Sequence, residues 1–200
     1  MFKAVIFDLG GVYFEDGTKK AVKIISAKYN VPEQKVKDVL QGELGTKYRT
    51  SAVTAGEFWQ ETKEYWGITV SSNELADIWL QGYVPIAGTD SIIDRLNSAG
   101  YEIFFLSDSV KERADCLQKK YPFLHHFKGG VFSYIAHKRK PDPAVYRMVL
   151  EMAGHPAQEC IYIDDKPELL KPAEELGMKG ILFENPAQLE AKLKEAGLKF

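Results

Sequence analysis

The sequence lacks any long hydrophobic run and contains little cysteine, and both absences narrow the possible classes of protein. No apolar stretch approaches the length of a membrane span, and the first apolar run, Ala4–Phe7, is too short for a signal peptide. The two cysteines, Cys116 and Cys160, lie far apart in the chain, which favours reduced thiols without excluding a disulfide. These features predict a cytoplasmic protein that does not span a membrane.

A surplus of positive charge is also missing. The 200 residues include 26 basic and 28 acidic side chains, so the formal net charge at pH 7 is −2. The only dense basic run, residues 137–140, is typical of a solvated surface, and no clustered basic face indicates nucleic-acid binding. The hydrophobic fraction of 45% is ordinary for a globular protein, and the length suits one domain with a substantial insertion, or two small domains.

The chain opens with a short apolar run that ends on a carboxylate. Ala4–Phe7 shows no polar alternation, which is typical of a strand buried on both faces of a parallel sheet. Asp8 follows at once, and Gly10 and Gly11 come shortly after it. Open α/β sheets bind ligands at the carboxyl ends of their strands, so Asp8 is a candidate site residue. On this stretch alone, a turn-capping role for Asp8 fits equally well.

Strand and helix patterns alternate along the rest of the chain, with one long helical interruption. Strands joined by helices over short loops form right-handed βαβ units, so the alternation predicts a three-layer α/β sandwich around a parallel sheet. The interruption shows helical spacing and two capping boxes, at residues 54–57 and 71–74. We therefore predict an α/β core domain of residues 1–14 and 86–200 and an all-helical cap domain of residues 15–85. The predicted later strands are residues 101–106, 130–133, 160–163 and 179–183.

Three later stretches combine with Asp8 into an ordered set of motifs. An apolar run leads to Ser107, Lys140 precedes a Pro-Asp-Pro turn, and another apolar run ends on the pair Asp164 and Asp165. In this order the motifs resemble those of the haloacid dehalogenase-like (HAD) hydrolase superfamily, over residues 2 to about 183. The chain most resembles a branch with a small helical C1 cap. That branch includes bacterial sugar-phosphate phosphatases and is similar to the amino-terminal phosphatase domain of soluble epoxide hydrolases. The resemblance implies a Rossmann-like sheet with the strand order 5-4-1-2-3.

The resemblance also implies catalytic roles for residues at the carboxyl edge of that sheet. Asp8 is implied to attack phosphorus and to become an aspartyl phosphate. Ser107 is implied to hydrogen-bond the transferring phosphoryl group, and Lys140 to neutralise that group and orient Asp8. We place Asp108 with Ser107 and Lys140 in the predicted phosphate-binding set, although its negative charge suits phosphate only if it points away. Such positioning and charge neutralisation carry most of the rate in phosphoryl transfer.

A magnesium ion is the implied cofactor. Its predicted ligands are the carboxylates of Asp8, Asp164 and Asp165 and the backbone carbonyl of Gly10. Three crowded carboxylates repel one another and do not all ionise without a cation. Mg²⁺ prefers oxygen ligands and keeps waters that a phosphate oxygen can displace. The predicted partner is a small phosphorylated metabolite such as a sugar phosphate, and no pattern in the sequence indicates an oligomeric state.

The chain departs from the family pattern at three positions. Most HAD phosphatases have a second Asp two residues after the nucleophile, which serves as general acid and base, and this chain has Gly10 there. Asp108 stands where close relatives have Asn. Leu169 replaces a usual Asp or Asn, beside Glu168, whose carboxylate is a substitute source of oxygen. Among the histidines, only His137 is near enough to Lys140 in sequence to be a candidate for the missing acid.

We predict a Mg²⁺-dependent phosphatase, and two alternatives remain open. The three departures allow a catalytically silent protein that binds metal or phosphate. A 2-haloacid dehalogenase also lacks the second Asp and needs an arginine and aromatic cradle, for which Arg49 and Tyr48 are candidates. Substrate choice is expected to lie with the cap, although most of its large aromatic side chains are expected to form the cap's own core. The cap candidates are Glu15, Arg49, Trp59, Trp66 and Tyr83.

Overall fold

The computed structural model describes residues 1–200, and its centre is a five-stranded parallel sheet. The strands lie in the order β3-β2-β1-β4-β5, with every neighbouring pair parallel. This confirms the predicted α/β class and the order 5-4-1-2-3. The strands are β1 (Ala4–Phe7), β2 (Glu102–Ser107), β3 (Gly129–Phe132), β4 (Cys160–Asp164) and β5 (Lys179–Leu182).

Eleven helices surround the sheet, and five of them form the predicted helical interruption. The interruption comprises α1 (Gly17–Tyr29), α2 (Glu33–Leu40), α3 (Glu43–Arg49), α4 (Ala55–Trp66) and α5 (Ser72–Gln81). The later helices are α6 (Thr89–Ser98), α7 (Lys111–Lys120), α8 (Ser133–Ala136), α9 (Pro143–Ala153), α10 (Pro167–Glu175) and α11 (Pro186–Glu195). None of these helices has both the length and the apolar character that crossing a bilayer requires.

The sheet is buried on both faces, as the unbroken apolar run at its centre predicts. Every residue of β1 is fully buried. Val5 and Phe7 point to one face and pack with apolar residues of α6 and α11, whereas Ala4 and Ile6 point to the other and pack with α9 and α10. Burying one such side chain contributes about 1.5–3 kcal/mol, so both helical layers are needed to cover the sheet. Both cysteines are free thiols.

The cap helices enclose a cluster of aromatic side chains. Tyr48 stacks on Phe58 with ring centroids 4.5 Å apart, and Trp59 packs edge-on against Phe58 at 4.7 Å. All three tryptophans are buried, and Trp59 and Trp66 contribute nothing to the wall of the main cavity. Their role is therefore packing. The apolar core continues from these helices into one face of the sheet, and the division into two domains stays a prediction.

Two local predictions about helix starts had different outcomes. The capping box at the start of α4 is confirmed: Thr54 accepts a hydrogen bond from the Glu57 backbone, and Glu57 accepts one from the Thr54 backbone. The box predicted for residues 71–74 is wrong, because the Ser71 side chain makes no capping bond. Glu74 instead accepts hydrogen bonds of 2.6 Å from Lys28 Nζ and from Tyr29 Oη on α1. These two donors from a neighbouring helix draw the carboxylate away from its own helix terminus.

Candidate active site

Polar side chains converge where three neighbouring strands end. Asp8 follows β1, Ser107 is the last residue of β2, and Asp164 is the last residue of β4. Because β1 lies between β2 and β4, these three side chains meet at the carboxyl edge of the sheet. All three are buried, with at most 5% of the residue exposed. Strand order alone thus assembles residues that lie up to 156 positions apart in the numbering of the sequence.

Lys140 supplies the positive charge at this edge. Its side chain is buried, and its Nζ lies 3.0 Å from Asp8 Oδ1 and 2.7 Å from Asp164 Oδ2. The Tyr162 hydroxyl lies 3.0 Å from the same Nζ and donates a 2.6 Å hydrogen bond to Asp164 Oδ2. Burial opposes the charge on Lys140, yet the carboxylates of Asp164 and Asp8 outweigh it and hold the pKa of Lys140 well above its usual range.

One lysine does not compensate all of the negative charge. Burial and the neighbouring Asp164 raise the pKa of Asp8 to about 7, against the opposing effect of Lys140. Burial is also the main cause of the raised pKa of Asp165. Asp8 therefore resists full ionisation near neutral pH unless further positive charge arrives.

The three carboxylates form a set that suits a hard cation. Asp8, Asp164 and Asp165 each offer an oxygen, and these atoms lie within 4.8 Å of one another. Asp165 Oδ1 is buried and has no hydrogen-bond partner, which is unusual for a carboxylate oxygen in a protein interior. The three predicted carboxylate ligands are thus brought together, and an unsatisfied oxygen among them fits an oxygen-liking ion such as Mg²⁺. The Gly10 carbonyl as a fourth ligand stays a prediction.

Gly11 makes room for this carboxylate set. Its φ of +104° lies in the left-handed region, and a Cβ at this position would lie 2.5 Å from Asp165 Cγ. A side chain at position 11 would therefore be strained and would displace Asp165. Gly10 is different, because its Cβ would meet nothing closer than Tyr83 Cε1 at 3.6 Å, which is an ordinary contact.

Asp108 is held by the segment that carries Lys140. Its Oδ2 accepts a 2.9 Å hydrogen bond from Arg139 Nε, and its Oδ1 accepts one of 3.1 Å from the Lys140 backbone nitrogen. The charge of Asp108 is therefore paired with Arg139, and its side chain fixes the start of the lysine segment. Phosphate binding by Asp108 stays a prediction. Both carboxylate oxygens of Asp108 already accept a hydrogen bond from the protein.

A cavity of about 540 Å³ lies above these residues, between the sheet edge and the cap. Its size is typical of a small-molecule site. Asp8, Gly10, Ser107, Asp108 and Lys140 line its floor or wall. The cap side contributes two of the five predicted candidates, Arg49 and Tyr83, whereas Glu15, Trp59 and Trp66 do not line it.

Glu168 and His137, the two residues predicted to replace missing oxygen or acid groups, differ in whether they line the cavity. Glu168 and Leu169 both line the cavity. His137 does not, because its ring lies at an exposed position with Nδ1 3.1 Å from the Thr50 carbonyl oxygen. Proximity to Lys140 in sequence did not bring the His137 ring to the site.

Sequence reasoning missed several residues of this site. In the sequence, Tyr162 lies within the apolar run of β4, and Arg113 lies among the charged residues of α7. Asp16 and Lys166 also line the cavity, with Asp16 at the N-terminal cap of α1 and Lys166 directly after the acidic pair. The position of Lys166 directly after Asp165 is the one signal in the sequence that pointed toward the site.

Comparison with known proteins places this chain among hydrolases. A sequence model described as a haloacid dehalogenase-like hydrolase matches residues 2–177. Flavin mononucleotide hydrolase 1 of Arabidopsis thaliana is 32% identical over 127 residues, which are 62% of this chain and 50% of that protein, so the match spans half of that relative. A sesquiterpene phosphatase of Aspergillus oryzae is 25% identical over 183 residues, covering 90% of this chain and 89% of its own.

A solved structure has the same fold. A HAD family enzyme from Bacteroides thetaiotaomicron, in complex with magnesium and inorganic phosphate, superimposes with a TM-score of 0.76 at 24% identity. The superposition covers 92% of this chain and 96% of that one. The shared architecture therefore extends over the sheet and the helices inserted after its first strand.

Proposed function

The chain belongs to the haloacid dehalogenase-like hydrolase family, and from this premise we propose that it is a Mg²⁺-dependent phosphatase acting on a small phosphomonoester. The observation that carries the proposal is the buried Lys140, which lines the cavity and is fixed between Asp8 and Asp164. These two carboxylates cluster with Asp165, one oxygen of which has no hydrogen-bond partner. Two relatives named as a flavin mononucleotide hydrolase and a sesquiterpene phosphatase support it. A cytoplasmic location stays a prediction.

Asp8 is the proposed nucleophile. The Leu9 backbone nitrogen lies 2.8 Å from Asp8 Oδ1 and Lys140 Nζ lies 3.0 Å from the same oxygen. These two contacts orient the carboxylate and leave Oδ2 to attack. Attack forms the bond from Oδ2 to phosphorus as the bond to the substrate's ester oxygen breaks, and the departing oxygen takes a proton from solvent water, giving an aspartyl phosphate, an alcohol and hydroxide. Water then cleaves the aspartyl phosphate, releases inorganic phosphate and regenerates Asp8.

Ser107 and Lys140 are the proposed partners of the phosphoryl group. Ser107 lines the cavity at the end of β2, where its hydroxyl is able to donate to a phosphoryl oxygen. Lys140 remains protonated at neutral pH and places its charge next to the attacking carboxylate. Asp108 and Tyr162 act as positioning residues, one through the Lys140 backbone and the other through Asp164. The geometry is thus set before substrate arrives, as electrostatic catalysis requires.

Magnesium would be held by the carboxylates of Asp8 and Asp165. Asp164 and the Gly10 carbonyl would complete the set of protein ligands. Both Asp164 oxygens already accept hydrogen bonds, Oδ2 from Tyr162 and Oδ1 from the Lys166 backbone nitrogen. Asp164 therefore contributes mainly by anchoring Lys140 and shaping the acidic pair. When bound, the ion supplies positive charge that offsets the repulsion between the Asp8 carboxylate and the phosphate oxygens.

Phosphate release from a panel of small phosphomonoesters tests this proposal. We expect release in the presence of Mg²⁺ and its loss in the presence of a chelator. Chloride release from 2-chloropropionate, measured without added metal, tests the dehalogenase alternative in the same preparation. Absence of both activities would favour the silent alternative. Arg139 pairs with Asp108, so the charge of Asp108 is compensated. This weakens one of the three reasons for the silent alternative.

Substitution of Gly10 by aspartate is expected to raise phosphatase activity by about tenfold or more. The reason is that a general acid and base contributes about 10²–10⁴-fold, and Gly10 supplies none. The cavity accepts the new Cβ without a clash. The measurement is kcat/KM with Mg²⁺ saturating, with Gly56→Asp on the exposed surface of α4 as the matched control. A lower kcat/KM with unaltered Mg²⁺ affinity would mean that the site is built around glycine.

A further inference from the structure

Two buried arginines in the cavity wall have no acidic partner. Arginine ion pairs in this protein join Arg95 to Glu190 and Arg139 to Asp108. Arg49, at the end of α3 in the cap, and Arg113, on α7 beside the sheet, form none, although only 6% and 4% of these residues are exposed. Buried charged groups are almost always paired, so two unpaired guanidinium groups facing one cavity indicate that a ligand provides the missing charge.

Both guanidinium groups are held rigidly. Arg113 donates from Nη1 to the Tyr83 hydroxyl at 2.9 Å, from Nη2 to the Asp108 carbonyl at 2.9 Å and from Nε to Ser109 Oγ at 3.2 Å. Every acceptor in this set is neutral, so the charge of Arg113 is oriented but not cancelled. The bond to Asp108 places Arg113 next to the residue that follows Ser107, beside the proposed phosphoryl site.

Arg49 leaves part of its guanidinium group for a ligand. Its Nη1 donates to the carbonyls of Leu40 and Gly45, at 2.8 and 3.0 Å, and these are its hydrogen bonds to the protein. Nε and Nη2 make no hydrogen bond to the protein, and Arg49 lines the cavity. The guanidinium carbon of Arg49 lies 5.1 Å from the centre of the Trp79 ring, and that of Arg113 lies 5.0 Å from the same ring, so Trp79 positions both.

The local charges agree with an anion-binding role. Burial is the first cause, and the nearby Arg113 the second, of the lowering of the Arg49 pKa to about 10, so Arg49 remains charged at neutral pH. Arg139 adds a third guanidinium group to the wall, and its own partner Asp108 cancels it. The proposed metal site and Lys140 already serve the scissile phosphate, which leaves Arg49 and Arg113 for a different group.

Resting on the proposed phosphatase function, we infer that Arg49 and Arg113 form a second anion subsite. The substrate is then a small phosphomonoester that carries an additional carboxylate or phosphate group. One end of the molecule places its phosphoryl group at Asp8, and the other end meets the two arginines where cap and sheet face the same cavity. The cavity of about 540 Å³ limits this molecule to the size of a small metabolite.

Matched substrate pairs test the inference. Ethyl phosphate and 2-phosphoglycolate differ by a carboxylate, and glucose 6-phosphate and glucose 1,6-bisphosphate differ by a phosphate. We expect kcat/KM to be about tenfold to hundredfold higher for the member with the second anion, since charge-assisted hydrogen bonds contribute on that scale. The pair with the larger ratio identifies which anion the subsite takes. Equal kcat/KM within both pairs, with turnover still dependent on Mg²⁺ and Asp8, would overturn the inference and leave the phosphatase proposal standing.

Variants of the two arginines test whether they cause the preference for substrates with a second anion. Arg49→Gln and Arg113→Gln are expected to lower kcat/KM far more for 2-phosphoglycolate than for ethyl phosphate, and Arg49→Lys to keep part of the preference. If the arginines had a merely structural role, the variants would lower kcat/KM for both substrates by the same factor. Arg147→Gln, at an exposed position on α9, is the control and should behave as the unmodified protein. A preference that survives both glutamine variants would also overturn the inference.

Calorimetric binding makes the test independent of turnover. The four compounds are titrated into the Asp8→Asn protein with Mg²⁺ present, and then into the same protein carrying Arg49→Gln or Arg113→Gln. Tighter binding of 2-phosphoglycolate or glucose 1,6-bisphosphate that is lost in either double variant supports the subsite, even if no ester is hydrolysed. Equal affinity for the compounds with and without the second anion would count against the subsite.

Discussion

Replacement of Asp8 with asparagine is expected to lower the rate of phosphate release by roughly 10⁴-fold or more, as removal of a nucleophile does in other hydrolases. An amide does not attack phosphorus to form the acyl phosphate, and it removes one of the three carboxylates in the proposed metal set. The measurement is kcat with the best ester of the panel at saturating Mg²⁺. The fold should persist, because Asp164 still pairs with Lys140 at 2.7 Å.

Stability measurements separate this effect from unfolding. Burial and repulsion raise the pKa of Asp8 to about 7, so the ionised carboxylate is unfavourable in the metal-free protein. The melting temperature of Asp8→Asn without metal should therefore equal or exceed that of the unmodified chain at pH 8. Asp115→Asn, at an exposed position on α7, is the matched control and should retain full activity. Unchanged turnover in Asp8→Asn would rule out Asp8 as the nucleophile.

The sheet was predictable because its strands are short apolar runs that stop at polar residues. Ala4–Phe7 has no polar position to expose, and this identifies a strand covered on both faces. Boundaries were less predictable, since β2 begins one residue later than expected and includes Ser107, which pairs with Phe132 of β3. Hydrogen bonding between neighbouring strands determines where a strand begins and ends, and the sequence of one strand does not show where its neighbour pairs with it.

The site was predictable where chemistry follows strand ends and unpredictable where it depends on contacts across the fold. Asp8, Ser107 and Asp164 end buried strands, so strand order brings them together. The basic run at residues 137–140 is typical of a solvated surface, and only the resemblance assigns its last residue, Lys140, to the site, where it is buried. The pairing of Arg139 with Asp108, 31 positions earlier, has no signal in that run. Arg113 gave no signal either, because its exposed neighbours on α7 gave it the appearance of a surface residue.

Replacement of Lys140 with methionine is expected to destabilise the metal-free protein by about 3–5 kcal/mol and to abolish phosphatase activity. Lys140 is the cation that contacts both Asp8 and Asp164, so its loss leaves two buried carboxylates without compensation. For a chain of this size, that change in the free energy of unfolding corresponds to a fall in melting temperature of about 6–20 °C. Lys138→Met is the control, because Lys138 is exposed and its surface pair with Asp142 contributes little.

The pH dependence of this destabilisation follows from the carboxyl groups that remain. Without Lys140, the pKa of Asp8 in the folded protein loses its main lowering influence and rises further above its unfolded value. A group with a raised folded pKa contributes stability that is present at low pH and is lost as pH rises through that pKa. The gap in melting temperature between Lys140→Met and the unmodified chain should therefore be smaller at pH 5 than at pH 8. A gap that widens on acidification would contradict the role of Lys140 as the cation that holds these carboxylates together.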